Sequence, residues 1–267
     1  VSAEGNGLRR GDWALVTGAS EGIGREFCRQ LAVRGVNLVA VARDRDRLDA
    51  LGEQLQDEYA VECRSVAADL GTADGPTAVR EAVDAFGISI QLLCNNAGTG
   101  YRGAFEELSS DDCDRMIELN ARSVVSMCRL FLPDLLSHPR SFVINVSSQA
   151  AYNPIPHMAV YAATKAFAHS FSQSLYGEFS ERGLVVQTLV PGPTVTDFDA
   201  KAGASDVAGI RRGGVDEVVQ VALAGLESGH PVISNARGLL RQRLFAALAP
   251  PRLVIRTVEK MFRPRGE

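Results

Sequence analysis

Tyr161 and Lys165 stand four residues apart in the stretch His157-Met-Ala-Val-Tyr161-Ala-Ala-Thr-Lys165. Ala166, Phe167, Ala168, Phe171 and Leu175 follow at helical spacing, which predicts a helix. Positions i and i+4 share one helix face, so a phenol stands beside an ammonium. A free tyrosine titrates near ~10. A fixed cation favours the phenolate and lowers that value, so the pair suits general acid–base chemistry on an oxygen. Tyrosine–lysine pairs also decorate solvated helix faces, so the rest of the chain decides between the two readings.

The elements that must position this pair can be read in order. Trp13–Thr17 is predicted as a buried strand that stops at a Gly-rich turn. A helix follows from Gly22 to Arg34, with Gly35 as its C′ residue. Further strands are predicted at Val36–Ala42, Val61–Ala67, Ile90–Cys94, Phe142–Val146, Leu184–Val190 and Val232–Ser234. Helices alternate with them at Asp44–Tyr59, Pro76–Phe86, Asp111–Leu136 (capped by Ser109), Met158–Arg182 and Val215–Leu226. The strands are continuous apolar runs without inside/outside alternation. That pattern predicts an α/β fold, a doubly wound parallel sheet with helices on both faces. No linker divides it, so residues 12–235 read as one domain. Residues 1–11 are polar and Gly-rich and read as a disordered lead-in without a signal peptide. Residues 236–267 read as a basic, amphipathic C-terminal extension.

Bulk composition narrows the function classes. Apolar residues make up 46% and charged residues 22%, as in an ordinary globular protein with a sizeable core. A net charge of −4 argues against a nucleic-acid partner. Cys28, Cys63, Cys94, Cys113 and Cys128 form no C-x-x-C pair and sit mostly in apolar runs. Buried thiols in a reducing, cytoplasmic setting are expected, with no disulfide frame and no metal site. No uncharged apolar run is long enough to span a bilayer. A serine hydrolase is excluded, because there is no G-x-S-x-G elbow.

The turn after the first strand is Thr17-Gly18-Ala-Ser20-Glu21-Gly22-Ile23-Gly24, and a helix starts at once. Glycines there let the backbone turn tightly and approach a phosphate, which the free N–H groups of the helix N-terminus then receive. With this motif the chain resembles the short-chain dehydrogenase/reductase (SDR) family. Thr17–Gly24 matches the family's T-G-x-x-x-G-x-G, and Tyr161 with Lys165 matches its Y-x-x-x-K. Asn95-Asn96-Ala97-Gly98 matches N-N-A-G, and Pro191-Gly192 matches the P-G after the sixth strand. Ser148 precedes Tyr161 at the family's usual offset, and Asn120 sits where the family has its active-site asparagine. The resemblance runs from about Asp12 to Ser234.

The resemblance implies a Rossmann fold and hydride transfer between a nicotinamide and a carbonyl or alcohol carbon. Tyr161 would exchange the proton, Lys165 would tune it and hold the ribose, Ser148 would hold the substrate oxygen, and Asn120 would anchor a water that relays protons from Lys165. Ser147 is the neighbouring candidate to Ser148, and only spacing separates them. Gly18, Ser20, Gly22, Ile23, Gly24, Asp69, Asn96, Ala97, Gly98, Pro191, Gly192 and Thr194 would line the cofactor. A non-catalytic dinucleotide sensor of the same fold is the alternative. NADP(H) is favoured over NAD(H). Ala42 stands where an NAD enzyme carries an acid for the ribose 2′-hydroxyl, and Arg43 and Ser20 could hold a 2′-phosphate. Glu21, Asp44 and Asp46 work against this reading.

Pro193 to Arg212 reads as a segment that folds over a substrate. Tyr101, Ala150, Tyr152, Pro154, Ile155, Val195 and Phe198 are the candidate pocket wall, mostly apolar, which fits a lipophilic ketone or alcohol. His157 reads as an exposed residue at a helix start. Val124, Val125, Phe167, Phe171 and Phe179 extend the apolar faces of two long helices, which predicts a homodimer or homotetramer. In 236–267, arginines interleave with leucines around Pro250-Pro251. Two short amphipathic helices are predicted, packed on the core or a partner subunit, with peripheral membrane contact as the other reading.

Overall fold

Seven parallel strands form one sheet in the order β3-β2-β1-β4-β5-β6-β7, in a computed structural model that describes residues 7–204, 212–236 and 238–264. The strands are β1 Trp13–Thr17, β2 Asn37–Ala42, β3 Cys63–Ala67, β4 Leu92–Asn95, β5 Ser141–Val146, β6 Leu184–Leu189 and β7 Val232–Ile233. Alternate residues of one strand face opposite layers. Ala14 and Val16 of β1 pack beneath α1 (Gly22–Val33), α2 (Arg45–Tyr59) and α8 (Val215–Ser228), through Phe27, Leu31, Leu48, Leu55, Val218 and Leu223. Leu15 between them faces α3 (Gly75–Phe86), α5 (Ser123–Ser137) and α6 (Ala159–Phe179), through Val79, Val83, Met127, Phe131 and Phe171. Both faces are apolar because both are covered, which is why the strands show no alternation.

The order reverses between β1 and β4, where consecutive crossovers wind to opposite sides and a crevice opens at the strands' carboxyl ends. Thr17 closes its base. Its hydroxyl accepts the N–H groups of Asn96 and Ala97 at 2.9 and 3.0 Å, and Asn96 Nδ2 donates to Thr17 O at 2.9 Å.

A buried polar chain fixes α6 against the sheet. Asn95 Nδ2 donates to Asn145 Oδ1 at 2.8 Å, Asn145 Nδ2 to Ser172 Oγ at 2.9 Å, and Ser172 Oγ to Ala168 O at 2.6 Å. Buried polar groups that are fully paired specify one arrangement of the elements they join. Here they fix the height and rotation of the helix that carries Tyr161 and Lys165.

Several expectations need correction. The helix expected over Asp111–Leu136 is α4 (Ser110–Ile117), a π turn (Glu118–Arg122) and α5. Ser109 does cap it, accepting Asp112 N–H at 3.1 Å. Residues 7–11 are not a disordered lead-in: Leu8 packs on the core, and Gly11 N–H donates to Gly35 O at 2.9 Å. Residues 1–6 lie outside the described residues. The segment after Pro193 carries a short helix, α7 (Asp197–Lys201), and its residues 205–211 lie outside the description. The extension forms α9 (Leu239–Leu248) and α10 (Pro251–Phe262), divided at Pro250 as expected. Cys28, Cys63, Cys94 and Cys128 are buried and unpaired, whereas Cys113 is half-exposed. Among the described residues no cluster could hold a metal ion and no helix is long and apolar enough to cross a membrane.

Candidate active site

A cavity of about 1180 Å³ opens over the carboxyl ends of β1, β4, β5 and β6. Its first half is built by the Gly-rich turn. Gly18 and Gly22 adopt φ of +66° and +53°, where a side chain would strain the backbone. A Cβ on Gly18 would also meet Asn96 Nδ2 at 2.8 Å. Gly24 does not reach the cavity. It lies behind the turn, where a Cβ would collide with Gly18 O, so it keeps the turn close to α1. Gly18, Ser20, Gly22 and Ile23 line the cavity, as do Arg43, Asp69, Asn96, Ala97, Gly98, Pro191, Gly192 and Thr194. This shape, with an unblocked helix start and a bare glycine floor, fits the diphosphate of a dinucleotide.

Of the three acids that argued against NADP(H), Glu21 and Asp44 are paired. Glu21 is paired with Lys201 of α7 and with Arg47 Nη1 at 3.3 Å. Arg47 also meets Asp44 at 3.3 Å. Arg47 lines the cavity beside Arg43, and sequence reasoning passed over it. Its place one turn into α2 was the available signal. Asp69 keeps its carboxylate fixed by Gly71 N–H at 2.9 Å and Arg115 at 3.1 Å. Gly192 N–H donates to Asn235 Oδ1 at 3.0 Å, and Thr194 Oγ1 to Gly192 O at 2.8 Å.

Tyr161, Lys165 and Ser148 converge at the far side of the turn, and all three line the cavity. Lys165 Nζ lies 5.9 Å from the centre of the Tyr161 ring and donates to Val146 O at 2.9 Å. A Cβ on Gly98 would stand 3.2 Å from Lys165 Nζ and from Asn120 Oδ1, so glycine there leaves the ammonium room. Tyr161 is nearly buried and packs against Phe198 of α7 at 5.4 Å between centroids. The two serines separate by their bonds. Ser147 Oγ donates to Lys165 O at 2.8 Å, which commits its proton to the backbone. Ser148 Oγ accepts Ala150 N–H at 3.1 Å, which leaves its own proton for a substrate oxygen.

Asn120 is buried and does not line the cavity. Its Oδ1 accepts Thr99 N–H at 2.9 Å, and its Nδ2 donates to Thr99 O at 2.8 Å and to Thr164 Oγ1 at 3.1 Å. The Asn120 side chain braces the loop after β4 to α6. The π turn around it is what breaks the long helix, and such turns gather at functional sites.

The family model for the short chain dehydrogenases matches residues 12–206. The chain belongs to the short-chain dehydrogenase family. It is 34% identical over 185 residues to very-long-chain 3-oxoacyl-CoA reductase of Bos taurus, covering 68% of this chain and 59% of that one. The same reductase of Anas platyrhynchos is 35% identical over 197 residues, 71% of this chain and 61% of that one. The match therefore spans about three fifths of these relatives. An NADPH complex of a short-chain dehydrogenase from Sphingobium yanoikuyae superposes with a TM-score of 0.79 at 31% identity, over 90% of this chain and 96% of that one. The bulky-bulky ketone specific alcohol dehydrogenase of Comamonas testosteroni gives a TM-score of 0.74 at 31% identity, over 84% and 86%.

The short-chain dehydrogenase model ends before α8, α9 and α10. Those last two helices nonetheless wall the cavity, with Gln242, Phe245, Thr257, Val258, Met261 and Phe262. Sequence reasoning missed all six. Val254 and Val258 bury α10 against Met116, Ile155, Met158 and Tyr161, so α10 packs on the core as expected. Gln242 Nε2 ties α9 to Gln149 O at 3.1 Å. Arg102 fastens the outer end: it donates to Phe262 O at 2.8 Å, Arg263 O at 2.9 Å and Gly203 O at 3.0 Å. Its charge also suits the carbonyl end of α10. His157 is not exposed. It sits at φ +65° with Nε2 3.5 Å from Glu259 of α10. Of the expected wall, Ala150, Ile155 and Phe198 line the cavity, while Tyr101, Tyr152, Pro154 and Val195 do not. Tyr152 instead packs on His169 and under Arg243.

Burial without a carboxylate partner pushes the Lys165 ammonium down from 10.5 to about 8. The unfolded chain therefore binds more protons between those values, and stability rises with pH across that window; below about 8 the burial penalty is constant. Lys165→Met removes this dependence. Urea unfolding of both cofactor-free proteins should show wild type gaining about 3 kcal/mol on Lys165→Met between pH 7.5 and pH 10.5. A gap that does not change with pH would mean that Lys165 is not a desolvated cation.

Proposed function

We propose that this short-chain dehydrogenase is an NADP(H)-dependent oxidoreductase that reduces a lipophilic ketone to an alcohol. The observation that carries the reading is the meeting of Tyr161, Lys165 and Ser148 at the junction between a phosphate-shaped turn and a mostly apolar chamber. NADP(H), when bound, supplies the hydride. Ser148 donates a hydrogen bond to the ketone oxygen and shares its growing charge. Tyr161 delivers the proton to the same oxygen. Lys165, held by Val146 O, keeps a positive charge beside the phenol, which lowers the cost of the phenolate left behind. Phe198 packs on Tyr161, and α10 packs on the same apolar cluster, which lowers the polarity around the phenol.

Arg43 supports the phosphate-bearing coenzyme, since it lines the cavity by the turn while Glu21 is paired with Lys201 and Arg47, and Asp44 with Arg47. The substrate class is supported by Phe245, Val258, Met261 and Phe262 in the chamber, and by relatives named for 3-oxoacyl-CoA and for bulky ketones. A homo-oligomer is the assembly we infer, from Phe167, 46% exposed and stacked on Phe171 at 6.0 Å along α6. Val124 belongs to the chain's own core, and Phe179 packs against it. A monomeric mass by light scattering at micromolar concentration would remove that inference.

Tyr161→Phe should lower kcat for ketone reduction by about 10²–10⁴-fold, with NADPH affinity unchanged. Arg43→Ala should weaken NADPH by roughly ten- to hundredfold, the loss of one charged hydrogen bond, and leave NADH nearly untouched. Steady-state rates and fluorescence titration of both coenzymes check the pair. Near-normal turnover in the first variant, or equal losses of both coenzymes in the second, would contradict the reading.

A further inference from the structure

Helix α9 has its apolar faces arranged in an unusual way. Gln242 and Phe245 look into the cavity. Turned away from Gln242, Leu240, Leu244 and Leu248 recur at i, i+4 and i+8 and form one stripe, which Phe245 borders. They are 68%, 50% and 79% exposed, among the most exposed large apolar residues described. Leu253 and Ile255 of α10, 51% and 40% exposed, extend the apolar area. An amphipathic helix normally buries its leucines. Here the cavity takes Gln242 and Phe245, and among the described residues the stripe is left exposed.

The charge around the stripe points to what covers it. Arg241, Arg252, Arg256 and Lys260 are all exposed. Arg29, Arg47, Arg64, Arg80, Arg115 and Arg122 are each paired with a carboxylate, although among the described residues exposed Arg45 and Arg129 are not. Those four cations have no such partner among the described residues, and Glu259, the acid of α10, is taken by Arg263 and His157. A cationic, leucine-bearing surface thus sits on a chain whose net charge is −4. Exposed leucines that enter an acyl layer, flanked by arginines that reach lipid phosphates, describe the interfacial mode of membrane binding.

We propose that α9 and α10 dock the protein on an anionic lipid surface, with the leucine stripe of α9 inserted. Phe245 lies one residue after Leu244 and three before Leu248, so a residue that lines the cavity borders the stripe on the same helix. The cavity wall is therefore the same element that touches the lipid. A lipophilic substrate leaves the acyl layer beside α9 and enters a chamber already lined by Phe245, Met261 and Phe262.

The test is co-sedimentation of the full chain with vesicles, which needs no turnover and so stands or falls apart from the reductase reading. Vesicles of phosphatidylcholine alone are compared with vesicles that also contain phosphatidylglycerol, at low and high salt. Wild type should pellet with the anionic vesicles at low salt and far less with the neutral ones. The triple variant Leu240→Ser/Leu244→Ser/Leu248→Ser should lose this binding. Arg241→Gln/Arg252→Gln/Arg256→Gln should weaken it by roughly a hundredfold, at about fivefold per cation. Both variants should keep the circular dichroism spectrum and melting temperature of wild type, which shows that they fold. The proposal is overturned if wild type stays in solution with anionic vesicles, or if the leucine variant binds as wild type does. It is also overturned if light scattering shows the leucine variant dissolving a dimer while wild type ignores the vesicles, which would make the stripe a contact between copies.

Discussion

Everything near the cavity is arranged around a buried ammonium. Lys165 has almost no access to water and, among the described residues, no carboxylate partner; it donates to Val146 O at 2.9 Å. Holding a charge there is costly, so its surroundings must be exact enough to keep it in one position. Gly98 leaves room for Nζ, where a Cβ would crowd it. Asn120 stands beside it and braces Thr99 to Thr164. Ser147 holds the lysine's own carbonyl, and the Asn95–Asn145–Ser172 chain holds its helix two turns further on. Removal of any one of these leaves the charge freer to move away from Tyr161.

The same economy extends outward. Thr17 and Asn96 sew the ends of β1 and β4 together, which fixes the turn relative to Lys165. Lys201 and Arg47 bind Glu21 and so connect α7 and α2 to that turn. Arg102 joins α10 to the segment after α7. The cavity therefore has a rigid half, made by the sheet and its turns, and an added half, made by helices that the family model does not include. We read coenzyme binding in the first half and substrate choice in the second.

Much of this was legible in the sequence because the chemistry sits at strand ends. An apolar run followed by glycines, or by Asn-Asn-Ala-Gly, marks a place where the backbone must turn, and side chains there face one crevice. Less local features were not legible. The π turn at Asn120 left the hydrophobic spacing of the helix nearly intact, so no break was visible. Tyr101, Tyr152, Pro154 and Val195 were expected in the pocket because they neighbour site residues in the chain. Short loops reverse direction, however, and these four face elsewhere. The two terminal helices were visible as amphipathic segments. Which face of α9 turns inward was not, since it has apolar residues on both sides and only Gln149 O and the cavity decide.

The central claim is that this crevice transfers hydride to a carbonyl carbon. It is tested most directly with NADPH carrying deuterium at both C4 positions of the nicotinamide, given with an aryl or long-chain alkyl ketone. Product examined by NMR should have deuterium on the new carbinol carbon, as one stereoisomer, with none arriving from deuterated water. Unlabelled product, label drawn from solvent, or oxidation of the coenzyme without any alcohol formed would contradict the account.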